Sequence, residues 1–410
     1  MKKLFALIAA LVLFASVSSA GVLDKVKYYG EGSFYGVSQS NQGATILYGT
    51  LGIESNVYEN ITAAFALGYT HLWGDNINYS MTGKPITDAA NEGLLNNLII
   101  VEANVAFDKL FDLDGLKLKV GRQFYGDDGS MIIYIGVRKD NPVLAVISKK
   151  TPSPVSHITS ADAAVLYYGN KNIKANIMFA TVENNWGAAS ILNENLTIKG
   201  FDFKYLNIAN MIDLQAYFYD VENILARHYD VFGMKGTFHK EMGENKINAS
   251  IEAAKGLAGG SILSNDVDEN DTGFIKLDAS FNMAKIGITP RLTYGLFGFG
   301  KYEVGGVTHY DKEFWAFGNY GPWLIADYDF SDLQLLNLGC DYTLKKFTVS
   351  FDWYNFSAVN GKWKAANEID FQAKYAYTEN VDFNIGIAHF FSDKSEFDVA
   401  YMHAGLSYKF

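Results

Sequence analysis

The side chains that could do chemistry in this chain are charged and regularly spaced. Lys117, Lys119, Lys174, Lys204, Lys235, Lys276, Arg291 and Lys374 stand on segments in which apolar and polar residues alternate. So do Glu102, Asp162, Asp202, Asp213, Glu252, Asp278, Asp341, Asp352, Asp370 and Asp382. A period of two puts one set of side chains on one face of a strand and the other set on the opposite face. Charges gathered on one face select ionic solutes where that face lines a narrow water-filled passage. Alternatively they pair across strands and hold the face together, and Glu102 beside Lys117 or Lys119 is one such expected pair. Catalytic signatures are missing from the sequence: it holds no cysteine pair, no HExxH, no GxSxG and no GxxxxGK[ST]. Asp266, Asp268, Asn270 and Asp271 begin like a calcium loop, but the spacing that follows and the final Glu are wrong. No cofactor, no metal and no enzyme activity are expected. His71 and His389 fall near strand ends, where aromatic rims are expected.

The elements that must carry these charges are strands. Eighteen segments of about ten alternating residues can be drawn along the chain, the repeating signal of a membrane β-barrel. Ile173, Ala175, Ile177 and Phe179 oppose Lys174, Asn176 and Met178; Ile275, Leu277, Ala279 and Phe281 oppose Lys276, Asp278, Ser280 and Asn282. The connections alternate too. Short ones, Tyr58-Glu59-Asn60, Asn170-Lys171-Asn172, Ala284-Lys285, Lys345-Lys346 and Glu379-Asn380, take turns with long polar ones, including 75–97, 126–160, 257–271 and 299–331. Short turns at one end and long loops at the other, with an even strand number, are the plan of outer-membrane barrels. Closure also removes the sheet edges that hydrocarbon would leave unpaired.

The chain ends point the same way. Lys2 and Lys3, an apolar run from Leu4 to about Ala15, and small residues up to Ala20 read as a secretory signal peptide over 1–20, leaving a single barrel domain over 21–410. No later run reaches the ~18 apolar residues of a membrane-spanning helix. The last strand ends Leu406-Ser407-Tyr408-Lys409-Phe410, with aromatic and apolar residues at alternate positions before a final Phe. That resembles the C-terminal signature by which bacterial outer-membrane barrels are recognised by their assembly machinery, so Phe410 is expected to bind it. The formal net charge of −11 speaks against a nucleic-acid partner. The lone Cys340 can form no internal disulfide. The 26 Tyr and 29 Phe against only 6 Pro fit strands with one wet and one greasy face.

One short motif carries a family resemblance. Val120-Gly121-Arg122-Gln123, followed by Tyr125-Gly126-Asp127, is similar to the GRQ…YGD motif of the alginate-export family of outer-membrane barrels. That resemblance implies an eighteen-stranded passive channel whose basic lumen passes an acidic polysaccharide, with Arg122 and Gln123 as the residues carried over. The many acids of the polar face depart from the pattern. Strict alternation also sets Arg122 on the face opposite Lys117 and Lys119. A bulge at Gly121 or Gln123 would reset the phase and bring Arg122 into the lumen.

The expected protein is therefore all-β: a single closed antiparallel transmembrane barrel of about 18 strands in the outer membrane of a Gram-negative bacterium. It is expected to contact membrane lipid and to pass small hydrophilic or anionic solutes, acidic sugars among them, by passive diffusion. The pore-lining set is Glu102, Lys117, Lys119, Arg122, Lys174, Lys204, Lys235, Lys276, Arg291, Asp341, Asp352 and Lys374. The segments 126–160 and 299–331 are expected to narrow the passage. The competing reading is a surface adhesin or structural barrel with an occluded lumen; an outer-membrane hydrolase lacks a nucleophile and base.

Overall fold

A computed structural model describes residues 26–39, 42–74, 98–126, 133, 135, 160–182, 196–223, 228–259, 270–297, 302–304, 307–309, 333–358, 365–392 and 399–410. The segment 1–20 expected to be a signal peptide, most of the long connections and the residues of the partial calcium-loop pattern before Asn270 lie outside them, as does the side chain of His71.

The strands follow in order as β1 (Val26–Gln39), β2 (Gln42–Tyr58), β3 (Ile61–Gly74), β4 (Leu98–Asp108), β5 (Leu116–Gln123), β6 (Ala161–Gly169), β7 (Ile173–Val182), β8 (Leu196–Ile208), β9 (Ile212–Asn223), β10 (His228–Met242), β11 (Asn245–Gly259), β12 (Asn270–Asn282), β13 (Ile288–Phe297), β14 (Tyr302–Val304), β15 (Val307–His309), β16 (Leu333–Leu344), β17 (Phe347–Ala358), β18 (Ala366–Ala376), β19 (Val381–Ser392) and β20 (Val399–Lys409). Eighteen of them form one antiparallel sheet in which each strand pairs with its sequence neighbours, and β1 pairs with β20 to close it. The remaining two, β14 and β15, make a separate small hairpin inside the 299–331 segment, which sequence periodicity did not reveal. At the seam Phe410 and Gly30 exchange backbone bonds of 2.9 and 3.1 Å. A Cβ on Gly30 would meet the Phe410 ring at 2.8 Å, so the terminal aromatic lies over a position that only glycine leaves open.

The short turns expected from the sequence, at 58–60, 170–172, 284–285, 345–346 and 379–380, gather at the end where β1 starts and β20 stops, although the two-residue connection between β1 and β2 lies at the opposite end. The connection between β4 and β5 holds a single 3-10 turn at Leu110–Asp112, and Lys109 there pairs with Asp114 at 3.0 Å. The outer face is apolar and open: Ile177, Phe179, Phe201, Phe203, Leu214, Met234, Ile251 and Phe371 are exposed, and Phe201 stacks on Phe218 with ring centroids 6.1 Å apart. Such a face is stable only against hydrocarbon or another protein.

The inner face has two zones. Near the short turns it is polar. Toward the long connections it becomes apolar and buried, with Met178, Ile198, Phe274, Phe297, Leu335 and Phe356 all under 2% exposed. Tyr125 and Ile135 pair there through backbone bonds of 2.8 and 2.7 Å, and Tyr125 donates to the inward-facing Asn176. Tyr125, Ile133 and Ile135 are buried. Tyr125, just past β5, thus lies on the inner face with Ile135 bonded to it, while most of the 126–160 segment expected to narrow the passage lies outside the described residues.

Candidate functional site: the charged inner wall

Register and alternation together fix which side chains share the inner face. Across β7 to β12 one hydrogen-bonded row runs Lys174, Lys204, Gln215, Lys235, Glu252, Lys276, each residue opposite the next on the neighbouring strand. Lys174 stands one residue from the short-turn end of β7, whereas Lys276 stands six from that of β12, so the row climbs the wall. Four of its six members are cations. Lys174 and Lys204 face each other directly, an arrangement that like charges disfavour. Further along, Lys235 reaches Glu252 at 3.4 Å, and Lys276 reaches Asp278 at 3.1 Å. Glu252 also accepts from the Tyr217 hydroxyl at 2.9 Å, while Asp202 accepts from Gln215.

The wall formed by β13, β16 and β17 is arranged otherwise. Arg291 donates to Asp341 at 2.9 Å and to Asp352 at 2.8 Å, and Asn337 donates to Asp352 at 3.1 Å. Gly339 lies between Arg291 and Asp352 in the same row. A Cβ there would come within 2.3 Å of the Asp352 carboxylate and 3.2 Å of the guanidinium, so the missing side chain makes the room in which the pair meets. Asp370 faces Asp352 across β17 and β18, and Glu368 lies one inward position further on; all three are buried. Lys374 bridges Asp382 at 2.8 Å nearer the short turns.

A third node joins β1, β4 and β5. Glu102, 7% exposed, accepts from the Tyr29 hydroxyl at 2.6 Å and from Lys119 at 3.4 Å. Lys119 is thus the partner, while Lys117 turns to Asp108 at 3.1 Å.

Arg122 departs from expectation. It sits opposite Ala103 on β4 and Asp162 on β6, both exposed on the outer face, and grips Asp162 with Nε to Oδ1 at 2.8 Å and Nη2 to Oδ2 at 2.7 Å. β5 pairs with both neighbours without a register shift, so the expected bulge is not in it. Instead the shift is in β4: Ala66 pairs with Glu102 and Leu67 with Ile100, leaving Val101 extra. Val101 and Glu102 are both buried while Ile100 and Ala103 are exposed, so it is β4 that changes phase. Gly121 does adopt a left-handed φ of +114°, where a Cβ would strike the Ala103 carbonyl at 2.2 Å. That kink does not turn Arg122 inward. Asp162, expected inside, is outside because β6 keeps its alternation, burying Ala161, Ala163 and Val165 on the inner face and setting Asp162 opposite Arg122. Gln123 remains inside, fully buried, its amide donating to the Ala163 carbonyl at 3.1 Å. Among the charged residues expected inward, the alternation locates all except Arg122 and Asp162, but not their partners. The tyrosines that reach Glu102 and Glu252 escaped the reading because a tyrosine at an alternate position scores as apolar.

No protein-family profile matches the chain, and no curated protein matches it. Solved structures do. The BenF-like porin from Pseudomonas fluorescens Pf-5 superposes with a TM-score of 0.64 at 11% identity, over 95% of this chain and 99% of that one. OpdK of Pseudomonas aeruginosa, crystallised with vanillate, gives 0.63 at 12% identity over 95% and 100%. OprD of Pseudomonas aeruginosa gives 0.60 at 11% over 94% and 95%. The chain therefore has the fold of outer-membrane porins with eighteen strands. These neighbours are not alginate-export barrels; that resemblance is left with the motif from Val120 to Asp127 and the strand number, and Arg122, the cation it carries over, faces away from the lumen.

Proposed function

We propose that this protein is a non-enzymatic porin of a Gram-negative outer membrane, passing small solutes by diffusion, with a preference for anions. The observation that carries the preference is the climbing row Lys174, Lys204, Lys235 and Lys276, interrupted by Gln215 and Glu252. A carboxylate or other small anion entering from the short-turn end meets Lys174 and Lys204 side by side. It relieves their mutual repulsion and passes upward from cation to cation. Carboxylate-bearing solutes, acidic sugars included, fit this wall. The aromatic acid vanillate in OpdK is a solute of that chemistry. Fixed charge on a confined wall sets ionic preference without any moving part.

The test is planar-bilayer conductance of the refolded barrel under a salt gradient. Stepwise openings with a reversal potential on the anion-selective side support the reading; a cation-selective reversal potential defeats the preference. A second reading, an occluded surface barrel, draws on the buried apolar inner zone around Phe274, Phe297 and Phe356. Silence at every voltage would favour it.

A further inference from the structure

Two tyrosines of the inner wall stand in the same relation to a glycine, a glutamate and a lysine. They belong to β1 and β9, on facing sides of a closed sheet of eighteen strands. On one side Tyr29, Gly52, Ala66 and Glu102 share a single hydrogen-bonded row from β1 to β4. A Cβ on Gly52 would run into the Tyr29 ring, and Ala66 adds only a methyl group, so the ring lies along the row and its hydroxyl arrives at Glu102. On the other side Tyr217, Gly233 and Ala254 share a row from β9 to β11, and Glu252 lies one inward position from Ala254. A Cβ on Gly233 would stand 2.5 Å from the Tyr217 hydroxyl.

Both carboxylates divide their oxygens in the same way. One oxygen takes the tyrosine hydroxyl, at 2.6 Å for Glu102 and 2.9 Å for Glu252, and the other faces Lys119 or Lys235 at 3.4 Å. Charge-assisted bonds close to about 2.7 to 2.9 Å. Inner-wall lysines whose acid meets no tyrosine come nearer to that. Lys374 reaches Asp382 at 2.8 Å and Lys117 reaches Asp108 at 3.1 Å, as Lys276 reaches Asp278, although Thr293 and Ser250 also donate to that acid. Lys27, 78% exposed at the mouth, is looser, 3.7 Å from Glu54. The side chains of Lys119 and Lys235 keep 22% and 29% exposure, while both glutamates are buried.

We infer that Tyr29 and Tyr217 are selectivity-determining residues of the channel: each anchors a glutamate in the wall and keeps it from closing fully on its lysine. Lys119 and Lys235 then stay partly open to a passing anion. The phenol carries no charge at neutral pH and acts through the glutamate, so each tyrosine is a positioning residue. The inference rests on the anion preference proposed above.

Reversal potentials of the full chain under a potassium chloride gradient test it. Tyr217→Phe removes only the hydroxyl and leaves the ring over Gly233. It should lower the chloride-to-potassium permeability ratio about two-fold, and Tyr29→Phe added to it should lower the ratio further. In a Glu252→Gln chain, whose ratio should exceed the parent's, adding Tyr217→Phe should change nothing, because no carboxylate is left to release. An unchanged or raised ratio in Tyr217→Phe overturns the inference. So does a fall of equal size in the Glu252→Gln chain, the mark of a tyrosine that only shapes the wall. Heat-modifiable electrophoretic mobility checks folding; if Tyr217→Phe does not fold, Tyr29→Phe with and without Glu102→Gln makes the same comparison at the other node. A cation-selective parent would defeat the anion preference and this inference with it, whereas an anion-selective parent with unmoved variants defeats this inference alone.

Discussion

The two charged walls inside the barrel use the same residue types to opposite ends. On β7 to β12 the cations outnumber the acids along one row, and Lys174 and Lys204 face each other. On β13, β16 and β17 a single cation, Arg291, is held by two carboxylates and buttressed by Asn337, with Gly339 cleared to let them meet. Lysines set one after another along a row leave a run of positive groups on the wall, whereas a guanidinium gripped by two carboxylates holds its wall in shape. The difference teaches that the count of lumen charges says little and that their pairing says what each group is for.

The contrast can be broken most forcefully at Arg291. Arg291→Ala leaves Asp341 and Asp352 together without their shared cation, and should destabilise the barrel by about 2 to 4 kcal/mol, read as a lower urea midpoint. Lumen water reaches the pair, which favours the lower end of that range. Gly339→Val should cost about 1 to 3 kcal/mol by the same measurement, because the new side chain occupies the space of the Asp352 carboxylate. The opposite wall should respond in selectivity while its stability holds. Lys174→Glu with Lys204→Glu should move the reversal potential toward cations, with a urea midpoint within about 1 kcal/mol of the parent. An unchanged reversal potential would erase the distinction between the walls. Lys235→Gln should shift selectivity less, since Glu252 already engages that lysine. Smallest of all, Arg122→Gln should leave the reversal potential where it was, because its side chain faces outward; a shift there would place it in the passage after all.

Much of this was legible in the sequence because an open apolar face and a wet face write themselves as period two. The strand number, the turn end and the inward positions of Lys174, Lys204, Lys235, Lys276, Arg291 and Lys374 all follow from that periodicity. What it could not carry was any local break in phase. Val101 adds one residue to β4 with nothing in its own chemistry to mark it, while Gly121, which does carry a mark, leaves the register intact. The partner choices were hidden too, since Lys119 meets Glu102 diagonally, past the gap left by Gly121. The inward turn of Tyr125 toward Asn176 depends on contacts between residues 51 apart, beyond the reach of any local pattern.

The closing seam has a kinetic side. Every other barrel strand pairs with a sequence neighbour, but Ser33 bonds Ser407 across 374 positions of chain. Joining β1 to β20 therefore carries the largest loop-closure entropy in the molecule and belongs late in assembly. Until it forms, the sheet presents two unpaired edges at once, each able to recruit a foreign strand. The interlock of Phe410 over Gly30 is where that exposure ends, so a Gly30→Val chain, whose new side chain meets the Thr50 carbonyl of β2 as well as the Phe410 ring, should accumulate as an open, aggregation-prone sheet.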